Sequence, residues 1–390
     1  MQLNSIYQSV IEILDQYLDE EKIDYVLKKW MVKNRYAGSS DRRKIRDIIF
    51  DIIRQKKSCE YVGGGYDGRN LLIGYLKLKE IKLDSVFDNS KFGPNELTIE
   101  ELGYYVDLSN LSQIYELDLP GWLIPIMRRS LTNEFDNVVK ILRDRSHIQV
   151  RVNLKKISRE NAILDLQKNN IVCEINKLCT TALNVLTGTQ HILTSSSFKN
   201  GFVELQDAGS QLISELIKIN SNDKVLDMCA GAGGKSLAIA CRAKAGATYF
   251  AWDINYDRMK DIDDRAKRAG VNIKKVTKPS STPIYNKIII DAPCSGSGSW
   301  RRDPEGKWLL DQNKLENYVK IQKELILKGL QLLSPKGQIL FITCSLLDIE
   351  NDKLIKELIS SVGTFKIINE LSLRPSSMND GFYGAVLEKI

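Results

Sequence analysis

Histidine is nearly missing from this chain: its 390 residues hold two, His147 and His191. Neither sits in a pattern that suggests a metal ligand or a general base, so the expected chemistry does without histidine. The seven cysteines are scattered, and no two stand at C-x-x-C spacing. That excludes zinc-knuckle and thioredoxin-like readings and leaves reduced thiols and no metal. No uninterrupted apolar run is long enough to cross a bilayer, and the opening Met1-Gln2-Leu3-Asn4 lacks the basic-then-apolar pattern of a secretory leader. The expectation is a cytoplasmic protein with no membrane partner. Internal repeats and low-complexity tracts are also lacking, and nothing predicts an oligomer.

What is present is ample apolar material, 43% of the residues, in a chain too long for one ordinary core. Two or three packed units are expected. The net charge is only +7, but residues 28–57 hold eleven Lys or Arg against three Asp, an excess of +8. A polyanion such as RNA would fit this segment, because each cation set against a phosphate releases counterions. A solvated helix face would look the same, and on charge alone both readings stand.

Residues 1–140 read as a helical domain. Following Ser39-Ser40, Ile45, Ile48, Ile49, Ile52 and Ile53 repeat at helical spacing, while Arg42, Arg43 and Arg46 fall mostly off that stripe. Gly63-Gly64-Gly65 is read as a turn between helices, since no strand precedes it as a phosphate cradle would need. Residues 141–201 change character: 147–153 alternate like a strand and 158–169 have helical spacing, which predicts a small α/β unit. From 202 to 390 strands and helices alternate. Helices are predicted near 207–219, 234–244, 256–269 and 312–333, with strands at 224–228, 248–252, 287–291 and 338–343. The predicted class is α/β, a doubly wound and mostly parallel sheet that takes ligands at the carboxyl ends of its strands.

Three segments sit at such ends. The first is the turn Cys229-Ala230-Gly231-Ala232-Gly233-Gly234-Lys235, whose glycines let a ligand approach the backbone, with Asp253 closing the next strand where a carboxylate can hold ribose hydroxyls. An NAD site and an S-adenosylmethionine site both fit these residues. The other two are Asp291-Ala292-Pro293-Cys294 and Thr343-Cys344-Ser345. Carbon 5 of cytosine becomes nucleophilic only after a thiolate adds to carbon 6, and a carboxyl group near ring nitrogen 3 assists that addition. Two cysteines and Asp291 match that need, although either cysteine alone would more often be a small buried hydrophobe.

Four motifs in order, Gln206-Asp207-Ala208-Gly209-Ser210-Gln211, CAGAGGKS at 229–236, DAPCSGSGSWRRDPEGKW at 291–308 and TCS at 343–345, resemble the Nop/Sun family of RNA cytosine-5 methyltransferases. The chain is most similar to the bacterial small-subunit rRNA methyltransferase B type. The resemblance runs from about 146 to the end. It implies a class I, Rossmann-like S-adenosylmethionine-dependent methyltransferase domain at 202–390, an RRM-like subdomain at 141–201 and a NusB-like, RNA-binding helical domain at 1–140. It implies Cys344 as the nucleophile, Cys294 as the residue that releases the product, Asp291 as a contact to cytosine and cofactor, and Lys235 near the base. The cofactor would be S-adenosyl-L-methionine on residues 229–235, Asp253 and Asp291.

The implied substrate is 16S rRNA, giving 5-methylcytosine as a step of rRNA processing; a tRNA substrate, or a non-catalytic RNA-binding assembly factor, are the alternatives. Arg301, Arg302, Pro304 and Trp308 would guide RNA together with Arg42, Arg43 and Arg46. For Trp308, packing in a helix core is an equal reading. One departure stands out: relatives usually carry an acidic residue after the third strand to hold the adenine, whereas this chain has Val276-Thr277-Lys278-Pro279-Ser280-Ser281. Ser280 or a backbone amide is the expected substitute.

Overall fold

The computed structural model describes residues 1–19, 22–107, 118–280 and 282–390. They form two compact units, Met1–Arg145 with Trp300–Leu309, and Ser146–Ser299 with Leu310–Ile390.

The first unit is helical, and its core follows the stripes seen in the sequence. In the helix Ser39–Arg54, Ile45, Ile49, Ile52 and Ile53 are buried and pack with Val10, Leu14, Trp30 and Leu72. Gly64 adopts φ 82° and ends the helix Lys56–Gly63. Asp67 then caps the helix Gly68–Leu78 by accepting the Asn70 amide at 2.8 Å. These two helices cross at backbone contact: a Cβ on Gly74 would lie 1.9 Å from the Cys59 carbonyl oxygen, and one on Gly63 1.9 Å from that of Asn70.

The segment Trp300–Leu309 completes this unit. Trp308 Nε1 donates to the Ile53 carbonyl at 2.7 Å, Lys307 Nζ to the Arg54 carbonyl at 2.7 Å, and the Ile23 amide to Glu305 at 3.0 Å. The helical unit thus extends past the boundary at 140 to Arg145 and takes in residues distant in sequence. Such a return depends on long-range contacts, which local periodicity does not encode.

The second unit holds two sheets. Strands β1 (Ile148–Val152), β2 (Val172–Ile175), β3 (Ala182–Thr187) and β4 (Val203–Leu205) form an antiparallel sheet in the order β2-β3-β1-β4. The larger sheet contains β5 (Lys224–Asp227), β6 (Thr248–Ala251), β7 (Ile273–Lys275), β8 (Tyr285–Asp291), β9 (Leu333–Thr343), β10 (Phe365–Leu373) and β11 (Phe382–Lys389). Its order is β10-β11-β9-β8-β5-β6-β7, parallel from β7 through β9 and antiparallel at β11.

Both faces of the larger sheet are covered. Ile288, Ile290, Ile339 and Phe341 join one apolar cluster, while Ile289, Leu340 and Ile342 join another. Two-sided burial is why these strands read as continuous apolar runs. The fold is therefore α/β, with a doubly wound, mostly parallel sheet, and a smaller antiparallel sheet and a helical region before it. Among the described residues, no helix is long and apolar enough to cross a membrane.

Candidate active site

The parallel strands β5, β6, β8 and β9 deliver their carboxyl ends to one edge of the sheet, and the segments singled out in the sequence begin there. After β5, Gly231 (φ 48°) and Gly233 (φ 81°) take the left-handed conformation that favours glycine. A Cβ on Gly234 would meet nothing within 4 Å, so that position faces open space, whereas one on Gly231 would lie 3.3 Å from Arg258 and one on Gly233 3.1 Å from Ile262. The Gly231 amide donates to Asp253 Oδ2 at 2.9 Å. Asp253 is buried and also pairs with Arg258 at 3.3 Å.

From behind, β1 supports the same turn: Arg151 Nη1 donates to the Gly234 carbonyl at 3.3 Å and to Gln206. Beneath it, Asp227 is 1% exposed and accepts from Ser236 Oγ at 2.5 Å and the Cys229 amide at 3.3 Å. Burial pushes its carboxyl up to about 7, against those hydrogen bonds. The Cys229 thiol is raised by burial first and then by Asp227, Asp291 and Asp253, which keeps it protonated.

The loops after β8 and β9 bring Cys294 and Cys344 together, their sulfurs 3.5 Å apart. The register makes this possible, since Asp291 of β8 lies beside Ile342 of β9. Lys235 Nζ reaches Asp291 at 3.2 Å, joining the glycine turn to the cysteine loops. The two thiols are driven in opposite directions. Hydrogen bonding from Cys294 holds the Cys344 thiol below its ordinary range despite burial, with Ser299 and Lys235 adding to the effect. The Cys294 thiol is raised well above that range by its hydrogen bond to Cys344, then by burial, Cys344 charge and Glu350. The shifts favour the thiolate form at Cys344 and the protonated form at Cys294.

Cys344, Cys294, Asp291 and Lys235 thus converge with residues 229–234 and Asp253 in the second unit. Arg42, Arg43, Arg46, Arg301, Arg302, Pro304 and Trp308 lie in the first. Arg43, Arg46 and Arg302 are exposed, while Arg42 donates to the carbonyls of Ala37 at 2.8 Å and Met31 at 3.2 Å. Arg301 and Pro304 are buried, and the Arg301 carbonyl accepts from Arg54 Nη2 at 2.9 Å. Trp308 packs on the helical core with its Nε1 bonded to Ile53.

Where an adenine acid is lacking, the Ser280 amide donates to the Tyr285 hydroxyl at 3.2 Å and its Oγ shares a bond with Thr282 at 2.9 Å; Ser281 lies outside the described residues. Sequence reasoning missed Glu350 and Gln322, which are both buried behind the cysteine loops. Nothing local distinguishes Glu350 in Leu347-Asp348-Ile349-Glu350-Asn351 from an acid at a solvated helix start.

Residues 214–383 match the family model for 16S rRNA methyltransferase RsmB/F, and residues 119–191 that of the Methyltr_RsmF/B-like ferredoxin-like domain. Ribosomal RNA small subunit methyltransferase B of Vibrio vulnificus is 26% identical over 69% of this chain and 66% of its own length. The probable enzyme of the same name from Bacillus subtilis is 29% identical over 56% of this chain and 50% of its own. The match therefore spans less than two thirds of these relatives. Among solved structures, PH0851 superposes with a TM-score of 0.77 at 22% identity, covering 100% of this chain and 99% of its own. A methyltransferase homolog protein from Pyrococcus horikoshii superposes with a TM-score of 0.62 at 21% identity, covering 73% of this chain and 100% of its own. Both share the fold.

Proposed function

We propose that this chain, whose residues 214–383 match the family model for 16S rRNA methyltransferase RsmB/F, methylates carbon 5 of a cytosine in 16S rRNA, using S-adenosylmethionine and a transient bond between Cys344 and the base. The observation that carries this reading is the cysteine pair, 3.5 Å apart with the Cys344 thiol lowered and the Cys294 thiol raised.

The residues fit the cofactor. The open face at Gly234 leaves room where a side chain would stand, and Asp253 and the backbone of 229–234 would hold its ribose and methionine parts. Bound there, S-adenosylmethionine would supply an electrophilic methyl group for carbon 5, leaving S-adenosylhomocysteine. The Cys344 thiolate adds to carbon 6 of the base and leaves electron density on carbon 5. Asp291, held by Lys235 at 3.2 Å, engages the ring at nitrogen 3. Once carbon 5 carries the methyl group, loss of its proton to a base re-forms the 5,6 double bond and expels Cys344 as the thiolate, and Cys294 is the group adjacent to that sulfur. The target cytosine must leave its stack to reach these groups.

The test is methyl transfer to 16S rRNA and tRNA transcripts, with bisulfite mapping of the product. Transfer to 16S rRNA that disappears in Cys344→Ala, with cofactor binding retained, is the expected result. Cys294→Ala should accumulate an RNA–protein complex that survives denaturation. Methylation of tRNA alone would replace the substrate, and cofactor binding without any transfer would favour an assembly factor.

A further inference from the structure

One carboxylate joins the two cysteine loops, and the methylation reading leaves it unused. Glu350 ends the helical turn Asp348–Glu350 that follows β9 and is 0% exposed. Its Oε1 accepts the Ser295 amide at 2.8 Å and Gln322 Nε2 at 3.1 Å. Its Oε2 accepts the hydroxyls of Ser295 and Ser345. Ser295 directly follows Cys294 and Ser345 directly follows Cys344, so a single side chain is bonded to the neighbour of each sulfur. Ser297 reinforces the link through Ser345 at 3.2 Å and the Leu346 amide at 2.8 Å.

Burial raises the Glu350 carboxyl above its ordinary range, and the four donors converging on its two oxygens oppose that rise by favouring the ionised form. A purely structural tie between two loops would be served as well by a neutral amide. The charge has a second consequence. It lies beside Cys294, where it opposes a second anion, while the other charged groups of the site, Lys235 and Asp291, act on Cys344. The phenol of Tyr318, on the helix Gln312–Leu332, also faces Cys294 and Glu350 and is raised by burial first and then by both.

We propose that Glu350 is a positioning residue that fixes both cysteine loops and reserves the shared proton for Cys294, so that Cys344 alone is the nucleophile. The assignment of Cys344 as nucleophile rests on the methyltransferase reading. The division of the proton between the sulfurs does not, and it can be measured without RNA.

The experiment is pH-dependent alkylation of the full-length protein by iodoacetamide, with peptide mass spectrometry resolving Cys294 from Cys344, on wild type, Glu350→Gln and Glu350→Asp. In wild type, Cys344 should be alkylated faster than Cys294. Glu350→Gln, which keeps an acceptor but loses the charge, should cut that ratio about tenfold or more, the equivalent of one pKa unit; Glu350→Asp should restore it in part. In the methylation assay kcat should fall in Glu350→Gln while KM for S-adenosylmethionine holds. An unchanged alkylation ratio in Glu350→Gln overturns the proposal, whether or not the variant melts earlier, because a structural tie alone would not move it. A normal ratio shift in a protein that methylates no RNA would instead count against the functional reading.

Discussion

At the scale of single residues, the site separates groups of one chemical type by their surroundings. Cys294 and Cys344 are both half-buried thiols, yet their shared hydrogen bond raises one and lowers the other, with burial and Glu350 adding to the rise of Cys294 and Ser299 and Lys235 to the lowering of Cys344. Asp227 is lifted to about 7 chiefly by burial, with Asp291 adding to the rise and Ser236, the Cys229 amide and Lys235 opposing it. Its folded-state value exceeds its unfolded value, so the folded chain binds the extra proton and Asp227 costs stability increasingly as pH rises from about 4 to about 7. Asp227→Asn removes that cost. The stability of the variant relative to wild type should therefore climb between pH 5 and 7 by up to about 1.4 kcal/mol per pH unit, then level off. Denaturant titrations at several pH values check this, and a parallel dependence in both proteins would refute it. The cysteines, Asp291 and Lys235 were legible as residues because each stands in a motif at a strand end. Glu350 was not, because its role consists of hydrogen bonds to loops that only the sheet brings together.

At the scale of elements, the periodic signals held where one face or both faces of a segment are buried. The isoleucine stripe of the helix Ser39–Arg54 and the apolar runs of β8 and β9 are such cases. Boundaries were less legible. The helix read at 207–219 spans Ala208–Ile213, and the strand read at 338–343 is the end of the longer β9, Leu333–Thr343. Strands β10 and β11 form the last antiparallel pair, and β10 alternates with its outer positions mostly exposed, so it lacks the continuous apolar run that marks the parallel strands. The glycine turn at 63–65 was read as a connector, and Gly64 serves as one. Gly74 had no signal beyond its type, yet it sits where the two helices touch. Gly74→Ala sets a methyl against the Cys59 carbonyl and should destabilise the protein by about 1–3 kcal/mol or more. Thermal melting would register this, and a variant as stable as wild type would contradict the crossing.

At the scale of the whole molecule, the chain returns to its first unit late, through Trp300–Leu309. Trp308 bonds to Ile53 and Lys307 to Arg54 there, so Trp308→Ala should lower the melting of the helical unit by the loss of a half-buried indole. A ligand of the second unit should act on the other: S-adenosylmethionine at a hundredfold excess over its Kd should stabilise it by about 2.7 kcal/mol. Calorimetry of the full chain with and without cofactor tests both, and cofactor that leaves the profile unmoved would exclude binding. The basic segment 28–57 leaves Arg43 and Arg46 exposed. If they meet phosphate, Arg43→Glu with Arg46→Glu should weaken RNA binding and flatten its salt dependence, without change in cofactor affinity. Binding isotherms at several salt concentrations give the slope, and an unaltered slope would assign these arginines to solvent.

The amino-acid order by itself determined the class of fold and singled out the cysteines, Asp291 and Lys235 as the candidate site, because burial periodicity and strand-end motifs are local properties written within a few neighbouring positions. Only the tertiary structure decided how the two sulfurs differ, which carboxylate ties their loops and where residues 300–309 belong. Each of those depends on groups far apart in the chain, and a proton's preference between two thiols is set by distances and desolvation that exist only once the sheet has formed.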